Sequence, residues 1–492
     1  MISFTLSVAF LIVGYIVYGR VIERVFGVDR NSPTPAIAHP DGVDYVPLPW
    51  WKAFLIQFLN IAGLGPIFGA VMGIMYGPAA FLWIVLGTIF GGAVHDYLSG
   101  MMSVRSNGAG QPELVGRELG RKVKLFMSVF SVGLMVLVGA VFVSGPAELL
   151  NGMTSNEIGV TWWAVFVFIY YILATLLPID KIIGKIYPVF GVALLFMALG
   201  ILVAMYVNNA PVPEFTAGFA NQHPQHLPIF PMMFISIACG AISGFHATQS
   251  PLMARCIKNE KYGRRVFYGS MVAEGIVALI WAAAASSFFG SIQGLQEFVA
   301  DLPPTANKPA VVVDLISKSW LGNIGGFLAL LGVVAAPLTS GDTALRSARL
   351  MTADFFKYDQ KPIKNRLLVA VPLFVITFII LQVNFDIIWR YFAWSNQTLS
   401  VFTLWAITVY LAKRKKFYAV SLLPAVFMTA VTISYILLAP EGFGMSAMLS
   451  YTIGVATALA MIILFYVKKK NSKQSNVLID SVINLKRCIC EF

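Results

Sequence analysis

Apolar residues come in repeated runs long enough to cross a bilayer, each bounded by charge, proline or glycine. A membrane helix needs about 20 such residues. Read this way, the sequence predicts thirteen spans, near 3–19, 51–76, 79–101, 126–150, 160–178, 186–207, 229–254, 266–290, 322–344, 367–385, 387–411, 417–439 and 446–467. No small-residue cleavage site follows the first run, so it reads as a retained helix rather than a signal peptide. The expected fold class is an all-α polytopic membrane protein.

Composition agrees. Of 492 residues, 58% are hydrophobic and 12% charged, with a mean hydropathy of +0.77. Soluble proteins carry about 25% charged residues, which excludes a soluble enzyme, a disordered regulator and a secreted disulfide scaffold. The four cysteines, Cys239, Cys256, Cys488 and Cys490, form neither a disulfide framework nor a zinc-spaced group.

A net charge of +12 would suggest nucleic acid in a soluble chain. Here the position of the charge decides. With the N-terminus outside, 32 of the 35 Lys and Arg residues fall in inner connections and the tail, leaving Lys308, Lys318 and Arg390 outside. Positive residues mark the cytoplasmic side of membrane proteins. The expectation is N-terminus out and C-terminus in, with the basic loops facing lipid headgroups and no nucleic-acid partner. The polar tail 471–492 is expected to be loosely ordered, and Cys488 and Cys490 are a weak acylation signal.

Two spans are interrupted. Span 2 contains Asn60-Ile61-Ala62-Gly63-Leu64-Gly65-Pro66 near its midpoint. Proline removes a backbone donor and glycine does not resist unwinding, and Pro66 suits the first position of a new half-helix. Span 7 loosens in the same way around Gly240, Ser243 and Gly244, then turns polar through His246, Thr248, Gln249 and Ser250 to Pro251. Either break alone reads equally as a kink. Lying five spans apart, the two helices run in opposite directions. Such a pair points to inverted repeats with a substrate site between them, spans 2–6 (51–207) and spans 7–11 (208–411). Span 1 with its loop (1–50) precedes them and spans 12–13 (412–470) follow. Half-helix N-termini favour an anionic group, and unwound carbonyls can hold a cation. The expected substrate-binding residues are Ala62, Gly63, Leu64, Gly65, Pro66, Gly240, Ser243, Gly244, His246, Thr248 and Gln249.

Few ionisable groups lie at membrane depth, where they are expensive: His95, Asp96, His246, Glu274, Asp342 and, near an outer end, Glu148. His95-Asp96 reads as a proton relay or as an acid bonded to its own helix end. In span 9, Thr339, Ser340 and Asp342 offer oxygen ligands for a hard cation or a proton site. Asp342 and Arg346, four apart, equally make a helical ion pair. Coupling is therefore sought at His95, Asp96, Thr339, Ser340 and Asp342. Glu274 reads as a buried acid or a transport residue, and Trp394-Ser395-Asn396-Gln397-Thr398 in span 11 as interhelical hydrogen bonding ahead of substrate contact. No HExxH, GxSxG or P-loop is present, and no cofactor is expected.

At these residues the chain resembles the carbon starvation protein A (CstA) family of membrane transporters. The matching stretches are Ile61-Ala62-Gly63-Leu64-Gly65-Pro66-Ile67, Gly92-Ala93-Val94-His95-Asp96-Tyr97, and Ser243 to Pro251. Thr339-Ser340-Gly341-Asp342-Thr343 and Trp394-Ser395-Asn396-Gln397-Thr398-Leu399 complete the set. The resemblance implies a secondary transporter, not an enzyme, in a bacterial or archaeal cytoplasmic membrane, with proton-coupled pyruvate uptake and peptide uptake both attributed to the family. It also implies the five-plus-five inverted repeat of the amino acid–polyamine–cation superfamily, with Thr339 and Ser340 where sodium-coupled relatives place two hydroxyls. The chain is shorter than long family members. The expected function is import of a small carboxylate such as pyruvate with a cation, a proton ahead of sodium; the alternative is peptide or amino acid uptake.

Overall fold

A computed structural model of the protein describes residues 1–42, 45–154, 157–176, 179–304, 306–360 and 362–490. Among them, every regular element is a helix, and the only β-type pairing is an isolated bridge between Leu48 and Ile257. Hydrocarbon offers no partner for a bare amide, so a helix, which satisfies its own backbone, is the form these apolar runs must take.

Each of the thirteen predicted stretches coincides with a helix or a broken helix. Eight helices among the described residues are by themselves long and apolar enough to cross a membrane, and the bent pair Trp50–Ile61 and Gly65–Tyr76 makes nine. The other four stretches fall short for identifiable reasons. Val160–Leu176 is short, and 229–254 is broken. Phe385–Lys413 carries polar residues of the site described next, and Lys308–Phe356 contains residues 323–325 and 328–330, whose side chains lie outside the described residues. Span 9 begins where predicted because Gly322, at φ 65°, interrupts Lys308–Phe356. The last helix runs Ala447–Cys490, so residues 471–490, expected as a loose tail, continue it. The side chains of 175–188 and 471–492, with Lys181, Lys185, Cys488 and Cys490, lie outside the described residues.

Burial sorts the helices. The most apolar windows of Glu260–Phe288 and Ala79–Val104 are 83% and 78% enclosed, whereas that of Ala447–Lys470 is 22% enclosed. Spans 3 and 8 therefore form the middle of the bundle. Spans 1, 10 and 13 lie at the periphery with Phe10, Phe378 and Ile463 exposed, as lipid-facing positions require.

One end of the bundle is basic and interlocked. Arg105 pairs with Glu260 at 2.8 Å, Arg264 with Glu23 at 3.0 Å and Lys413 with Glu118 at 2.8 Å. A strap before span 2 lies across this end, the Leu48 amide donating to Cys256 O at 2.9 Å just beyond span 7. At the opposite end, Arg390 pairs with Glu441 at 3.3 Å.

Candidate functional site

The site grows from the two breaks. Trp50–Ile61 ends at Ala62 (φ −78°, ψ 58°), and the chain restarts as Gly65–Tyr76, bent by 57°. Gly65 opens the new segment and Pro66 is its second residue, one place later than expected; the missing N–H still costs nothing in the first turn. In span 7, the turn Ala238–Gly240 ends the first half, Ser243 is extended (φ −144°, ψ 123°), and the helix restarts as Gly244–Ala254.

The breaks pack against each other, and glycine is what permits it. A Cβ on Gly65 would collide with the side chain of Cys239, and one on Gly240 would lie 2.7 Å from Ala278 Cβ and 3.6 Å from Pro66 Cα. Phe142 closes one side, edge-on to Phe245 at 6.4 Å and to Phe392 at 6.0 Å.

Unwinding releases backbone groups, and side chains from other spans take them up. Ser340 Oγ lies 3.2 Å from both Leu59 O and Asn60 O in span 2. Thr88 donates to Gly240 O at 3.2 Å and Gln397 Nε2 to Ile242 O at 2.7 Å. Asn396 Oδ1 accepts from the Phe245 amide at 2.6 Å and from Ser243 Oγ at 3.1 Å, while its Nδ2 faces Cys239 Sγ at 3.0 Å. Asn396 thus caps the half-helix from another span. The Phe245 amide, which an anion at this N-terminus would use, is already engaged.

Beside the break stands a sealed cluster of ionisable groups. His95 Nδ1 is 2.8 Å from Asp96 Oδ1, His246 Nδ1 is 2.7 Å from Asp96 Oδ2, and His246 Nε2 is 3.4 Å from Glu274 Oε2. None of the four side chains reaches solvent. Asp96 comes from span 3, His246 from span 7 and Glu274 from span 8. An ionised Asp96 accepts from both imidazoles only if each carries its proton on Nδ1, a tautomer assigned here from the hydrogen bonds. His246 Nε2 then faces Glu274, and neither has a hydrogen-bond partner among the described residues. The pair can hold one further proton, as acid and imidazole or as carboxylate and imidazolium.

The remaining expected residues divide. Thr248 donates to Phe245 O at 2.7 Å and Gln249 Nε2 to Thr248 Oγ1 at 2.9 Å. Gln249 Oε1 and Asn60 Oδ1 are buried without a hydrogen-bond partner among the described residues. Thr339 Oγ1 donates to Ala336 O in its own helix at 2.8 Å. Asp342 lies 3.6 Å from Arg346 and forms the helical ion pair. No group of three or more His, Cys, Asp or Glu is placed to hold a metal among the described residues. The sequence reading did not assign Asn60, Cys239 or Asn396 to the site, and it left Glu274 as either a buried acid or a transport residue. Asn60 and Cys239 adjoin the breaks, which was their available signal. Glu274 and Asn396 acquire roles only through residues far along the chain.

The family model described as "Carbon starvation protein CstA" matches residues 1–162, 148–301 and 310–435. An uncharacterised membrane protein of Haemophilus influenzae is 43% identical over 61% of this chain and 94% of its own. The Bacillus subtilis protein named peptide transporter CstA is 26% identical over 94% of this chain and 96% of its own. The Escherichia coli protein named pyruvate/proton symporter BtsT is 27% identical over 57% of this chain and 48% of its own. Among solved structures, MhsT in complex with L-phenylalanine aligns over 84% of this chain and 97% of its own with a TM-score of 0.53 and 16% identity, which places the chain in the leucine-transporter-like inverted five-plus-five fold. The chain belongs to the carbon starvation protein CstA family.

Proposed function

We propose that the chain is a secondary transporter that imports a small carboxylate such as pyruvate with protons, by alternating access around the breaks in spans 2 and 7. The observation that carries the reading is His246, buried between Asp96 and Glu274 on the helix that contains one of the breaks. With the basic end facing the cytoplasm, substrate enters from the opposite end and leaves past the cluster. An added proton on the His246–Glu274 pair removes one negative charge beside the break. Protonation then favours arrival of an anion, and by linkage the anion favours protonation. That mutual preference is what symport requires. Gly63 and Gly65 let Phe142 and Cys239 close over one break, while Ser243, Gln249 and Asn60 offer polar contacts.

The E. coli relative's name supports a carboxylate and a proton. A peptide or amino acid substrate is the second reading, favoured by the match to nearly the whole B. subtilis peptide transporter. Sodium coupling has its own observation, Ser340 Oγ set against the carbonyls of Leu59 and Asn60 beside Thr339. Uptake of labelled pyruvate, a dipeptide and an amino acid into proteoliposomes, under a proton and then a sodium gradient, tests all three. Pyruvate accumulation that follows the proton gradient is the expected result; accumulation of none of them under either gradient overturns the reading.

A further inference from the structure

The end of the bundle opposite the basic one contains a cavity of about 380 Å³. Its walls include Met72 and Tyr76 from the second half of span 2 and Ser236 from the first half of span 7. Trp389 also lines it and packs 5.9 Å from Phe68, three residues past Gly65. One aromatic pair therefore stands between the cavity and the breaks.

The charges in this cavity are out of place on topological grounds. Only Lys308, Lys318 and Arg390 escape the basic side, and two of these three, Lys308 and Arg390, line the same cavity. Lys318 is occupied elsewhere, with Asp314 at 2.8 Å. Arg390 is held through one nitrogen, Nη1 at 3.3 Å from Glu441 Oε2, and is 49% exposed. Glu441 is itself fixed by the hydroxyl of Tyr435, and its carbonyl accepts from Tyr391 at 2.5 Å. The Lys308 ammonium makes no hydrogen bond or ion pair among the described residues, and Asp386, which also lines the cavity, interacts with its charge.

A guanidinium tethered at one edge keeps the rest of its fork for a second carboxylate, in the two-point geometry that arginine favours. Lys308 adds a mobile point charge on the same wall. Asp386 and Glu441 offset both cations, so the lining has no net charge, and the attraction is local to the free edge of the Arg390 guanidinium and to the Lys308 ammonium.

We infer that this cavity is an entrance site, separate from the breaks, where the carboxylate of an incoming substrate docks on Arg390 and Lys308 before it passes Trp389 and Phe68. This rests on the proposed direction of transport. A pyruvate and the C-terminus of a peptide share the chemistry, so both are probes, and a peptide amidated at its C-terminus lacks it.

The test combines uptake kinetics with direct binding. In proteoliposomes, the variant Arg390→Gln/Lys308→Gln is expected to raise the half-saturating concentration of pyruvate or dipeptide about fivefold to tenfold at low salt, and to flatten the wild-type loss of affinity with rising salt. Glu441→Gln releases the Arg390 fork and is expected to shift the half-saturating concentration the other way. Lys318→Gln, at the same end but outside the cavity, is the charge control. An effect of the double variant no larger than that of Lys318→Gln, or a rise with Glu441→Gln, overturns the inference. Equilibrium binding of labelled pyruvate and labelled dipeptide to the purified chain separates this failure from failure of the transport reading. Binding by wild type that Arg390→Gln weakens, with the amidated dipeptide unable to compete, upholds the docking site even if no uptake is measured. Equal binding by both proteins, or none by either, overturns it.

Discussion

His246 Nδ1 lies 2.7 Å from Asp96 Oδ2, a contact between a residue of span 7 and one of span 3, 150 positions apart in sequence. Both side chains are sealed from solvent. A buried acid with an imidazole on each side and a second acid beyond one of them is not needed to hold apolar helices together, and charge at membrane depth is costly. The arrangement is explained if a proton must enter and leave it.

Glu274→Gln fixes the cluster in the state that carries no negative charge at Glu274. Exchange of labelled for unlabelled pyruvate across the membrane is expected to continue, while accumulation driven by a pH gradient falls at least about tenfold, within the usual range of coupling energies. His246→Gln is expected to lose gradient-driven accumulation in the same way. Parallel counterflow and pH-jump uptake measurements check both, and full pH-driven accumulation in either variant removes the cluster from coupling.

Asp342 is expected to behave differently, because the structure pairs it with Arg346 at 3.6 Å and both are buried. Removing one member of a buried pair leaves the other charge short of its partner, at a cost of about 3 kcal/mol or more. Asp342→Asn should therefore lower the thermal midpoint of the purified protein, and Asp342→Asn/Arg346→Gln should recover part of the loss. A stable Asp342→Asn protein with its pH-driven accumulation selectively lost would return Asp342 to the coupling machinery.

Gly65→Ala should abolish uptake, since the new methyl meets the side chain of Cys239. Overpacking of this kind costs about 1–3 kcal/mol, and here it also wedges the two breaks apart. Removing the obstacle in Gly65→Ala/Cys239→Gly should restore part of the uptake. Restoration without any change in thermal midpoint would show that the contact governs movement rather than folding.

These residues also show where the sequence is readable and where it stops. The breaks at Gly63–Pro66 and Gly240–Gly244 are legible because glycine and proline act locally on their own helix. The central groups His95, Asp96 and His246 are legible because so few ionisable residues lie at depth. What cannot be read along the chain is which of them meet. Asp342 and Asp96 look alike as lone membrane acids, yet one faces Arg346 and the other two histidines. Polar residues at Asn396 and Gln397 read correctly as interhelical glue, but their partners, the Phe245 amide and Ile242 O, are set by how span 11 packs. The same polarity leaves Phe385–Lys413 outside the helices that are by themselves apolar enough to cross, although the run 387–411 reads as a span.

Asn396 supplies the last prediction, because it occupies the position where a half-helix would otherwise greet an anion. Its Oδ1 accepts from the Phe245 amide at 2.6 Å, so Asn396→Ala removes a helix cap and should cost about 1 kcal/mol of stability. Asn396→Asp keeps an acceptor for the Phe245 amide, but it loses the Nδ2 donor to Cys239 and Ser243 and puts a charge at membrane depth, so its thermal midpoint should also fall. The new negative charge sits where an incoming carboxylate must come close. If the anion docks at this break, Asn396→Asp should raise the half-saturating concentration of pyruvate about tenfold, equivalent to about 1.4 kcal/mol, and leave a neutral amide analogue unaffected. Comparing uptake of the acid and the amide by the two variants checks this. Equal effects on both compounds would move the carboxylate to the Gly63–Gly65 break instead.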